Sequence, residues 1–230
     1  MDIYTLNLGA LLTVCGALFF TQRHKKAEND SAPKTKAKAT SSPPSQLPFL
    51  LVYTLVMASD WLQGPFLYPL YLDEHGLAPS LISTLFTTGF LSGAASGSII
   101  GSLADRHGRK AACLTFCGVY ALSCVLTTVR SLPVLVVGRM LGGLGTSLLF
   151  SVFESWMVAD FRARGGEEGR LSRMFGLMST LNSVVAIVSG VGSEWLVGVT
   201  GTKKAPFGAS VVLLVVAAGV IATQWVSFDP

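Results

Sequence analysis

The 230 residues are half hydrophobic and only 13% charged, with a formal net charge of +4 and a mean hydropathy of +0.56. Soluble globular domains carry about a quarter charged residues, so the composition excludes one. The basic excess is no nucleic-acid footprint either, because the lysines and arginines lie almost entirely between apolar runs, where they set membrane topology.

In chain order the predicted spans are Tyr4–Phe20, Pro48–Leu72, Leu81–Ala104, Ala111–Val129, Pro133–Ala159, Met174–Val199 and Ala205–Phe228. Each is close to the roughly 20 residues that cross a hydrocarbon core. The first has the position of a secretory signal. However, Asp2 stands where a signal carries basic residues, and Arg23, His24, Lys25 and Lys26 follow the run. These flanks favour an anchor with its N-terminus outside, the signal remaining the alternative. Thr21–Leu47 is rich in Ser, Pro and Lys and reads as a basic disordered linker. The expected organisation is therefore an extra helix (1–20), a cytoplasmic linker (21–47) and a six-helix body (48–230).

Threading the spans alternately from a cytoplasmic linker fixes the orientation. The inner side then holds Arg23, Lys25, Lys26, Lys34, Lys36, Lys38, Arg106, Arg109, Lys110, Arg162, Arg164, Arg170 and Arg173, whereas the outer side holds Arg130, Lys203 and Lys204. That asymmetry is the positive-inside pattern.

The second span contains D60-W-L-Q-G-P-F-L-Y-P69, in which Pro65 and Pro69 remove backbone donors and Gly64 loosens the turn. Asp60 lies roughly 18 Å in from the inner start of its span, and Arg139 roughly 9 Å in from the outer start of its own. In a core of about 30 Å the two reach similar heights, so an Asp60–Arg139 ion pair is expected. Such a pair is either a structural lock or part of a substrate or proton path, and charge at that depth favours the path. Gln63 shares the span with Asp60 and offers a further polar group.

Gly101–Lys110, G-S-L-A-D-R-H-G-R-K, is expected as a polar loop between two spans. Cys113 and Cys117 stand one helical turn apart, but no histidine or further thiol accompanies them at ligand spacing, so a metal pair is disfavoured against small apolar helix residues. Glu154 falls near the inner surface, where it is expected to pair with Arg106 or Arg109 in a gating or structural cluster. Asn182 is a cavity-lining amide or an interhelical hydrogen bonder. Glu194 is expected near the outer end, in solvent. Gly93, Gly97 and Gly101, with Gly138 and Gly142 on another helix, are spaced for close helix approach. No Walker loop, metal cluster, nucleophile–base set or dinucleotide fingerprint appears, which sets the enzyme reading low.

The decapeptide resembles the signature between the second and third helices of the major facilitator superfamily at Gly101, Leu103, Asp105, Arg106, Gly108, Arg109 and Lys110. G138-R-M-L-G-G-L144 resembles the same family's fourth-helix motif. The extra helix, D60-W-L-Q-G-P-F-L-Y68 and L149-F-S-V-F-E-S-W156 are similar to its molybdate-anion transporter branch. The resemblance implies an all-α polytopic fold, the N-terminal six-helix half of a carrier that rocks between two halves, preceded by one extra helix. It implies a multi-pass membrane protein, with the plasma membrane the expected site and an internal membrane the alternative. The second half is missing from these residues, so a fragment, or assembly with a complementary half, is expected.

The implied function is transport of a small oxyanion, molybdate by resemblance. Arg139 would hold the anion, Gln63, Tyr68 and Asn182 would donate hydrogen bonds, and Asp60 would compete for Arg139 and couple movement to pH. Membrane lipid, the oxyanion and a complementary half are the expected partners, with no cofactor, metal or nucleic acid. Two rival readings remain: a carrier half for a sugar or organic cation contacted by Asp60, and a non-transporting scaffold or regulatory membrane protein.

Overall fold

The computed structural model describes residues 47–163 and 168–225, all within the unit Ser45–Pro230. Of residues 98, 101–107 and 168–170 it describes the backbone alone. The predicted helix Tyr4–Phe20 and the linker up to Gln46 lie outside the described residues.

Six helices, with no strand among the described residues, follow in order: α1 Leu47–Pro69, α2 Pro79–His107, α3 Arg109–Thr127, α4 Leu132–Ala163, α5 Glu168–Thr200 and α6 Ala205–Gln224. α3, α4, α6 and the Leu171–Thr200 part of α5 are long and apolar enough to cross a membrane. The all-α polytopic expectation therefore holds.

Proline sets several helix ends. Pro79 opens α2 after the extended Ala78, and Pro206 lies in the first turn of α6. A missing N–H costs nothing in a first turn. Within α1 the helix runs through Pro65, but beyond Pro69 it widens into a π turn, Leu70–Glu74. The proline ring crowds the preceding turn, and widening relieves that clash. The bond from His75 N–H to the Leu70 carbonyl, 3.0 Å, closes the wide turn.

The signature decapeptide is not a loop. α2 stays helical through His107, and α3 begins at Arg109, leaving Gly108 alone between them. Gly108 adopts φ +87°, ψ 133°, a conformation that a β-carbon disfavours. Charge moves a segment out of hydrocarbon but does not unwind it, so the helix continues past the apolar run until glycine permits the reversal. α4 likewise extends past the predicted Ala159 to Ala163, and α5 starts before the predicted Met174, at Glu168.

α4 packs between α2 and α3, α6 between α1 and α3, and α5 against α1. The core centres on Val52, Val56, Phe116, Phe153, Phe207 and Leu214, all fully buried. Phe116 meets Phe153 edge to face, with centroids 5.2 Å apart. Lipid offers apolar surface as freely as a neighbouring helix does, so such fitted contacts and interhelical hydrogen bonds hold the bundle together. Ser92 donates to the Met140 carbonyl at 2.7 Å, Ser123 to Gly138 at 2.8 Å and Ser210 to Ser59 at 2.7 Å.

The closest approach joins α2 to α4. A β-carbon at Gly143 would collide with the Gly89 carbonyl and lie 2.8 Å from the Gly93 nitrogen. Gly93 is one of the expected contact glycines. Gly138 and Gly142, however, face Leu126 and Ser123 of α3 rather than α2.

Candidate functional site

α1, α2, α3 and α4 enclose an open cavity of about 570 Å3. Asp60 and Gln63 reach it from α1, Tyr120 and Ser123 from α3, and Arg139, Thr146 and Ser147 from α4; Gly89 and Gly93 form the wall on α2. Small residues on α2 let the polar side chains of α4 stand open to the space instead of being covered. The helical-rise argument had Asp60 and Arg139 at one height, and one cavity holds both.

They do not pair. Among the described residues no ion pair joins them, and Asp60 instead accepts a hydrogen bond from the Tyr120 hydroxyl. Arg139 is held on the other side. Its guanidinium carbon sits 5.3 Å from the Phe86 ring centroid, a cation–π contact. Its fork also lies along the α2 backbone at Gly89, where an added β-carbon would come within 2.8 Å of Nη2. Arg139 Nε is buried with no hydrogen-bond partner among the described residues. The cavity thus holds an arginine positioned by an aromatic face, not neutralised by the nearby carboxylate, and carrying an unpaired donor. A planar cation in that state suits an oxyanion, which can accept from two of its nitrogens at once.

The remaining expected contacts divide. Gln63 lines the cavity but donates to the Ser59 carbonyl of its own helix at 2.8 Å. Tyr68 is exposed and does not line the cavity. Asn182 reaches it only through Trp61, whose Nε1 donates to Oδ1 at 2.8 Å. Glu194 is exposed near the end of α5.

Glu154 and Arg109 line a second cavity, of about 430 Å3, together with Arg162. The side chains of Asp105 and Arg106 lie outside the described residues, as does anything beyond the backbone at Gly101. Lys110 has a role that sequence reasoning missed: its ammonium donates to the Trp225 carbonyl at 2.8 Å and to Ala222 at 3.1 Å. It thereby satisfies the orphan carbonyls at the end of α6 with a cation of favourable sign. Tyr120, Phe86, Gly89 and Gly143 were missed as well. They are ordinary aromatic and small residues within apolar helices, and only their spacing on facing helices could have drawn attention to them.

At the opposite end, the π turn of α1 clasps the α5–α6 connection. Lys203 pairs with Asp73 at 2.6 Å, and the Glu74 carboxylate accepts from the Lys203 N–H at 2.5 Å and from the Thr202 hydroxyl at 3.0 Å. His75 packs on the Tyr71 ring in this clasp, with centroids 5.8 Å apart. Burial, and then the Lys204 and Arg130 cations, hold its pKa below the usual imidazole value.

A family model described as sugar transporters with twelve transmembrane segments matches residues 3–228. The molybdate-anion transporter of Takifugu rubripes is 34% identical over 222 residues, which is 94% of this chain and 44% of that protein. The molybdate-anion transporter of Xenopus tropicalis is 31% identical, covering 95% and 48%. That of Xenopus laevis is 32% identical, covering 96% and 49%. The chain spans about half the length of the curated relatives it matches.

Proposed function

The chain belongs to the major facilitator superfamily, and on that premise we propose that it supplies one half of a carrier for a small oxyanion, molybdate by analogy with its relatives. One observation supports this reading above all: Arg139 stands in the cavity on Phe86 and Gly89, and among the described residues no carboxylate pairs with it and Nε has no partner. An organic cation would be repelled by this guanidinium, and a sugar would leave its charge uncompensated at depth. Hydroxyls of Ser123 and Thr146 border the same space, but each already donates its proton within the bundle, Ser123 to the Gly138 carbonyl at 2.8 Å and Thr146 to Gly142 at 3.0 Å, so the guanidinium carries the recognition.

Asp60 opposes an anion when ionised. Its place beside Tyr120, off Arg139, leaves the arginine available and makes the carboxyl a titratable competitor for occupancy. In this reading the Gly108 end of α2 and α3 faces the cytoplasm, following the basic-residue asymmetry, and the clasp at Glu74 faces outside.

The test is equilibrium binding of labelled molybdate to the purified chain, with sulfate and glucose as competitors. Saturable binding displaced by sulfate but not by glucose is expected. Arg139→Ala should weaken it about tenfold or more, the scale of losing a charge-assisted hydrogen bond. Arg139→Lys should weaken it as well, since an ammonium lacks the planar fork. Asp60→Asn should remove the pH dependence of binding. Undiminished binding in Arg139→Ala, or displacement by glucose, would overturn the oxyanion reading.

A further inference from the structure

Arg139 is the first residue of a cavity-lining stripe along α4. Gly143, Thr146, Phe150, Glu154 and Arg162 follow it at spacings of four, three, four, four and eight residues, so the stripe winds, and Arg162 lies about 140° round the helix from Arg139. Both cavities lie along this stripe, and both are lined by Phe150 and Ser151. They are therefore adjoining compartments, with the Phe150 ring at the boundary. Twenty-three positions separate Arg139 from Arg162, roughly 35 Å of helix at 1.5 Å per residue. With Arg139 roughly 9 Å inside the outer face of a core about 30 Å thick, the path runs from within the core to beyond its inner face and carries an arginine at each end.

The second cavity gathers Arg162 and, from the start of α3, Arg109, with Ser151, Ser155 and Glu154 between them. We propose that it is a second oxyanion station, in which Arg109 and Arg162 hold a tetrahedral dianion that enters or leaves the cavity at Arg139. This rests on the reading of the first cavity as an anion site. Two guanidinium groups provide bidentate donors from two helices, and the Ser151 hydroxyl can complete the contact, whereas Ser155 donates to the Val152 carbonyl at 3.1 Å. Glu154 competes for the same arginines, which keeps the station weak. Weak holding suits a transit point, because an ion bound too tightly at the end of a path does not leave it. The phosphate of an anionic lipid headgroup shares the chemistry, so free anion and headgroup are separated experimentally.

Equilibrium dialysis of labelled molybdate against the purified 230-residue chain in detergent reads the stoichiometry. Two molybdates per chain are expected, in a tighter and a weaker class. Arg162→Ala should abolish the weaker class. Glu154→Gln, which removes the competing charge, should tighten that class about fivefold, the scale of a partly exposed charge pair. Because the last variant gains binding, it keeps the test decisive even if an arginine variant folds poorly. A parent chain binding a single molybdate, or a weaker class unchanged in both variants, would overturn the station. Arg139→Ala separates the two readings: it should abolish the tighter class, and its failure to do so would remove the first site, not the second. Repeating the dialysis in nanodiscs containing phosphatidic acid identifies the source. Displacement of only the Arg162-dependent molybdate assigns the station to headgroup phosphate as well, and no displacement assigns it to the free anion.

Discussion

A methyl group at position 143 has no room, because α2 and α4 touch there through backbone alone: the Gly89 carbonyl and the Gly93 nitrogen occupy the space. Gly143→Ala should therefore push the helices apart and destabilise the chain by about 1–3 kcal/mol, the usual cost of overpacking. Gly118, on α3, has nothing within 4 Å of an added β-carbon, so Gly118→Ala should be neutral or slightly stabilising through its better helix propensity. Thermal unfolding in detergent compares the two, and equal melting temperatures would contradict the close approach. The same contact shows why single residues were only partly legible in the sequence. Charge at depth singled out Asp60 and Arg139, and helical rise gave their heights. Which neighbour each one meets depends on how the helices are rotated about their axes, which rise does not encode. Arg139 accordingly turns to Phe86 and Asp60 to Tyr120.

Elements were more legible than their ends. Apolar runs located every described helix, because hydrocarbon demands continuous backbone hydrogen bonding across its thickness. The ends follow local stereochemistry instead: the π turn after Pro69, the reversal at Gly108 and the positive φ of Gly76, after which the Leu77 N–H returns to the Tyr71 carbonyl. The clasp at Glu74 carries a pH-dependent prediction. Burial, Lys204 and Arg130 disfavour the charged imidazole of His75, and the opposing pull of Glu74 is smaller. The folded pKa lies below the ordinary value of 6.5, so the stability linked to the neutral ring is complete above that pH. It is lost as pH falls below 6.5 and through the folded value. Melting temperature should decline on acidification across this window, and His75→Gln should flatten the decline. An unchanged slope in the variant would show that other groups govern acid sensitivity.

For the whole molecule, the decisive feature is which surfaces the bundle leaves unpacked. The cavity at Arg139 is open, bordered by α1 to α4, and Phe90 at its margin is 72% exposed. On α5, Ile187, Val188, Val191 and Trp195 form an exposed apolar face. In carriers built from repeats the site lies at the interface of two bodies, and alternating access comes from one rocking on the other. On the proposed reading these 230 residues supply one such body. On that reading Arg139 binds the anion and α4 carries its path, while the wall against which the cavity opens and closes comes from the other body. Reconstituted alone in liposomes, the chain should insert, bind molybdate and yet fail to accumulate it inside. Labelled uptake and surface binding, measured on the same vesicles, distinguish these steps. Binding lost in Arg139→Ala, with uptake no higher than in empty vesicles, is the expected pair of results. Saturable uptake by the chain alone would mean that one body, or a pair of identical ones, completes the passage, and the requirement for a different second half would be wrong.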